Sequence, residues 1–129
     1  MTALNTIAMA ACYSPDPELA PFPFRLLFDM ETCERLPDVW ERWQANDPAR
    51  MVEDPRIQEA LCSLKLLYFD CGSRDQYQLQ FGARLLARKL TQAGILHEYE
   101  EFDDDHTNVA YRYNVSLPKL VSVLWEGAT

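Results

Sequence analysis

Residues 64–71 (LKLLYFDC) form a nearly unbroken apolar run with a single lysine, and Gly72-Ser73 breaks it. A run of that length predicts a strand buried on both faces of a parallel sheet. The pattern then changes period. Tyr77, Phe81, Leu85, Leu86 and Leu90 recur at helical spacing, with Arg84, Arg88 and Lys89 on other faces, which predicts an amphipathic helix over 75–93. Gly94 stands where a C-capping glycine belongs. Residues 95–102 (ILHEYEEF) alternate in part and predict a more exposed strand. Residues 107–124 predict a last helix, interrupted near Ser116-Leu117-Pro118 because proline removes a backbone donor.

The first half is less regular. Residues 4–12 (LNTIAMAAC) are apolar without clear alternation, and the breaker Tyr13-Ser14-Pro15-Asp16-Pro17 that follows favours a short buried strand. Prolines and aromatics crowd residues 15–37, which read as a long excursion. Asp38 is placed to cap a short helix through Val39, Trp40 and Trp43, and a second short helix over 55–61 starts on a proline. For Trp40 and Trp43, with Phe22, Phe24 and Phe28, lining of an acyl or aromatic pocket and plain packing stand as equal readings.

This order of strand, irregular crossover, strand, helix, strand and helix predicts an α/β fold over 1–129. A short parallel sheet of about three strands is flanked by helices. The first strand would then be an uncovered apolar edge, which invites pairing with another chain. A homo-oligomer through that edge, or a missing N-terminal part, is therefore expected.

Composition narrows the partners. The 129 residues are 48% hydrophobic and 12% aromatic, enough for one core. A formal charge of −8 argues against nucleic acid, because phosphate neutralisation needs clustered cations. No stretch approaches a membrane span, and residues 1–12 lack the basic flank and cleavage site of a signal peptide, so a cytoplasmic location is expected. Cys12, Cys33, Cys62 and Cys71 form no CxxC pair; reduced structural thiols are expected, without a metal site.

Chemistry is expected beyond the carboxyl ends of parallel strands. Cys71-Gly72-Ser73-Arg74-Asp75 follows one strand there, and Asp103-Asp104-Asp105-His106 follows the next. Adjacent parallel strands bring these two loops together, and an Asp accepting from a His Nδ1 is the arrangement used in acyl transfer. LLYFDCGSRD (66–75), LTQAGILHEYEEF (90–102) and DDDHTN (103–108) together resemble the C-terminal part of the esterase D-like branch of the α/β-hydrolases. NTIAMAACYSPDP (5–17) is similar to the strand after the nucleophile helix in that branch. The resemblance implies a partial three-layer α/β-hydrolase fold, with Asp75 as triad acid and His106 as base. It further implies a small ester or thioester as substrate, and no cofactor. The order of acid before histidine agrees with the superfamily. The family usually carries glycine before its histidine, where this chain has Asp104-Asp105.

No G-x-S-x-G elbow is present. Ser14 follows the expected first strand and is not on an elbow. Cys71 has only Arg74 as a nearby cation in sequence, which is a poor setting for a reactive thiol. The run Asp103 to Asp105 reads as a solvated acidic loop, because no ligand spacing accompanies it. The sequence thus predicts an esterase-lineage chain that is inactive alone. The rival is a non-catalytic assembly module pairing through its edge strand. A flavodoxin-like domain fits less well, since Tyr13-Ser14-Pro15-Asp16-Pro17 is a poor phosphate loop.

Overall fold

The computed structural model describes residues 2–125, which divide into two compact units on either side of the boundary between Met51 and Val52. In the first unit, helix α1 (Thr2–Tyr13) leads into an irregular stretch and then α2 (Pro37–Gln44) and α3 (Pro48–Met51). The strand expected over 4–12 is therefore a helix. Four of its residues are alanine in the span Ala3 to Ala11, and alanine has the highest helix propensity. With that strand goes the apolar sheet edge from which self-association was expected.

Ala10, Leu27, Val39 and Trp43 form the core of this unit, with Tyr13, Phe24 and Trp40 packed against them. Burial of a side chain such as Val39 stabilises by about 1.5–3 kcal/mol. The excursion over 15–37 is held by isolated antiparallel bridges, Pro15 with Phe24 and Phe28 with Arg35. Asp38 does not cap α2. Leu36 is the cap residue and Pro37 opens the helix, while the Asp38 carboxylate pairs with Arg25.

The second unit is α/β. Helix α4 (Pro55–Cys62) is capped by Asp54, whose side chain accepts from the Arg56 amide. Strand β1 (Tyr68–Gly72), helix α5 (Leu79–Gln92), strand β2 (Glu98–Phe102), a 3₁₀ turn (Val109–Arg112) and α6 (Tyr113–Trp125) follow. The strands pair in parallel, Tyr68 opposite Glu98 and Gly72 opposite Phe102. Among the described residues the sheet has two strands rather than three.

Both strands are shorter than the apolar runs suggested, and their faces differ. Phe69 joins a cluster with Val52, Leu61, Leu67, Leu86, Leu90 and Ile95, so α4 and α5 cover that face. The opposite face carries Tyr68, Asp70 and Glu100 and meets Arg112. The fully apolar strand expected over 64–71 is thus apolar on one side only. Helix α5 starts at Leu79 after a turn, with Gln78 left-handed at φ 60°. Phe81 is 58% exposed, and Gln80 takes a buried place. Gly94 does end the helix, at φ +70°.

Pro118 lies inside α6 without interrupting it. Its missing N–H leaves the Asn114 carbonyl without a helical donor, and both residues are exposed to solvent. Among the described residues no helix is long and apolar enough to cross a membrane.

Candidate functional site

The end of β1 and the end of β2 lead into loops that run side by side. The Ser73 amide donates to the Phe102 carbonyl at 2.8 Å, and the Arg74 amide donates to the Asp104 carbonyl at 3.0 Å. These bonds extend the parallel ladder past the strands. Gly72 is what allows such closeness: a Cβ there would lie 2.4 Å from the Asp104 carbonyl oxygen and 2.7 Å from that of Asp105. Asp105, where the resembled family has glycine, is not among the residues with positive φ. The close backbone approach between the loops is made at Gly72.

Asp75 sits in the turn after β1, its amide bonded to the Gly72 carbonyl at 3.2 Å. Its side chain is 2% exposed, and Oδ2 lies 2.8 Å from Nδ1 of His106. Oδ1 accepts from the Tyr77 amide at 2.8 Å. The chain thus brings together residues 31 apart in sequence. Burial pushes the Asp75 carboxyl up, but the hydrogen bonds from His106, Tyr77 and Leu79 outweigh it and leave the pKa below the ordinary carboxylate range. An ionised carboxylate only accepts, so Nδ1 carries the proton of this pair. Neutral His106 then keeps the lone pair on Nε2, the tautomer a general base requires.

Two groups that sequence reasoning missed hold the histidine. Gln76 accepts from the His106 amide through Oε1 at 3.0 Å, and the Tyr77 ring meets the imidazole edge-on at 5.0 Å. The imidazole is 49% exposed. It borders a cleft of about 250 Å³ that Leu79, Ala83, Phe102 and Val109 line on the apolar side.

The other candidates resolve separately. Ser14 is fully buried, with its hydroxyl donating to the Arg25 carbonyl at 2.6 Å and accepting from Trp43 Nε1 at 2.9 Å. That is a structural serine. Cys71 is buried, and burial first, then the charge of Asp75, pushes its thiol up, the reverse of activation. Cys12, Cys33 and Cys62 are exposed thiols, so Cys12 and Cys62 are not the packed small hydrophobes their apolar neighbours suggested.

The acidic loop is engaged residue by residue. Asp103 pairs with Arg74 at 3.3 Å, Asp104 accepts from the Tyr111 hydroxyl at 2.9 Å, and Asp105 accepts from the Thr107 amide at 2.6 Å. No group of three His, Cys, Asp or Glu among the described residues is arranged to hold a metal ion.

On the polar face of the sheet, Arg112 lies 2.9 Å from both Asp70 and Glu100 and donates to the Tyr68 hydroxyl at 3.1 Å. Asp70 and Glu100 are direct partners in the register, where like charges destabilise without a shared cation. The alternation of Tyr68 with Asp70, and of Glu98 with Glu100, was the available signal. No protein-family model matches the chain, and no curated protein matches it.

Proposed function

We propose that this chain belongs to the esterase lineage of the α/β-hydrolases and carries the acid and histidine of a Ser-Asp-His triad, with His106 as base and Asp75 as its orienting acid. The observation behind this reading is the 2.8 Å contact between buried Asp75 and half-exposed His106, made by loops after adjacent parallel strands. The apolar wall of Leu79, Ala83, Phe102 and Val109 suits a small uncharged ester or thioester. No cofactor enters such a reaction, and a cytoplasmic location belongs to the same reading.

His106 is bonded to Asp75 and to Gln76, and neither partner is a nucleophile. The serine and the oxyanion donors would come from outside these 129 residues, so the chain alone is inactive. Imidazole hydrolyses activated esters slowly without a partner, so a difference between wild type and His106→Ala that stays linear in substrate is only that background. The test is hydrolysis of p-nitrophenyl acetate and butyrate by the purified chain, His106→Ala and Asp75→Ala. The expected result is no saturable turnover above the His106→Ala rate. Saturable turnover lost in both variants would mean the chain holds a nucleophile of its own, and the inactive reading would be wrong.

A further inference from the structure

Helix α6 is turned the opposite way from an ordinary surface helix. Val115, Ser116, Lys119 and Val123 are the half-buried positions, whereas Tyr113, Leu117, Leu120, Val121 and Leu124 are exposed. Lys119 faces the sheet, bonded to Glu98 and 5.2 Å above the Tyr68 ring. The outward side carries the apolar residues, with Tyr113 64%, Leu117 52%, Leu120 45%, Val121 58% and Leu124 60% exposed. Tyr113, Leu117, Leu120 and Leu124 follow one another at steps of four, three and four, the spacing of a helix seam that packs against a second helix.

We propose that this stripe is the contact surface of a homodimer, in which α6 packs against α6 of a second copy across a two-fold axis. The chain carries −8 overall, so two copies repel over most of their surfaces, and a contact between them is least opposed at this stripe, which has no charged residue and brings no carboxylates together. The same negative charge disfavours an anionic membrane as the cover. Area is consistent. At roughly 150–250 Å² for a large side chain, these exposures with Trp125 at 75% leave on the order of 600 Å² per copy. That is the lower end of what a specific interface buries per partner, about 600–1,000 Å². A two-fold contact needs a surface complementary to itself, and a single seam meets that condition. The proposal is independent of the chemistry suggested for Asp75 and His106.

The experiment is sedimentation equilibrium of the full chain over a range of concentrations, for wild type, Leu117→Lys/Leu120→Lys, and Leu96→Lys. Leu96 is 91% exposed and lies outside α6. The expected result is a dimer for wild type and Leu96→Lys, with dissociation at least about 100-fold weaker for wild type than for the double variant. A monomeric wild type overturns the proposal, as does an equal loss in Leu96→Lys. If circular dichroism shows the double variant unfolded, amide exchange of wild type decides. Protection of α6 that rises with protein concentration supports the dimer, and concentration-independent protection of α6 overturns it.

Discussion

Gly72 and Asp104 are in backbone contact. The Asp104 carbonyl oxygen occupies the space where a side chain at position 72 would begin, 2.4 Å from an ideal Cβ. The two loops that carry Asp75 and His106 are therefore joined through main chain, and the side-chain pair depends on that junction.

Gly72→Ala should force the 103–106 loop away, because the obstructing atoms are backbone and cannot rotate aside. A cost of roughly 1–3 kcal/mol is expected, in line with overpacking. The His106 imidazole should also lose its bond to Asp75. Thermal unfolding together with imidazole nitrogen shifts checks both. A wild-type Tm and wild-type shifts would show that the loops yield freely.

Asp75→Asn should destabilise by roughly 1–3 kcal/mol near neutral pH, because a buried hydrogen-bonded carboxylate is lost. The folded pKa of Asp75 is depressed below 3.8. Its stabilisation is therefore present above that value and is lost as pH falls through the folded pKa. The difference in Tm between wild type and variant should shrink below about pH 4. A difference constant down to pH 2 would contradict the assignment.

At the alkaline end, Tyr68 and Tyr99 are pushed up to about 12. Burial is the main cause for both, followed by hydrogen bonds to Asp70 for Tyr68 and to Glu101 for Tyr99. Their folded pKa values lie above the unfolded value of 10.0. The stability they contribute is complete below pH 10 and is lost as pH rises towards 12. Near-ultraviolet absorbance should show Tyr68 and Tyr99 ionising late and together with unfolding, with Tyr111 also shifted upward by burial and its bond to Asp104. Ionisation of all six tyrosines at the ordinary value in the folded chain would refute this.

Arg112→Met should cost roughly 1–3 kcal/mol, less than for a fully buried pair because Glu100 is 43% exposed. The loss leaves Asp70 facing Glu100 across the parallel pair. Adding Asp70→Asn should recover part of it. Denaturant unfolding of the single and double variants gives the comparison, and additive losses would mean that the two acids do not repel.

Ser14→Ala should cost about 1–3 kcal/mol, because Trp43 Nε1 and the Arg25 carbonyl both lose a buried partner. Trp43 fluorescence and unfolding midpoints report this. No change in either would mean that water replaces the hydroxyl.

Much of the second unit follows from period alone. The helix ending at Gly94, the parallel pair and the placement of Asp75 and His106 after successive strands all rest on local pattern. A pattern cannot set helix phase, however. Helix α5 begins only after left-handed Gln78 and Phe81 lies outward, and no spacing rule marks either.

An α/β character, the short helix that opens on Pro55, the helix end at Gly94, and the two loops on which acid and histidine lie were all legible in the residue pattern. Those features depend on local propensity and on chain order, which are written in neighbouring residues. The folded chain alone shows that Arg112 joins Asp70 to Glu100, that Gly72 admits the Asp104 carbonyl, and that α6 turns its leucines outward. Each of these depends on contacts between segments distant in sequence, where packing and shared charge override the preference of any single stretch.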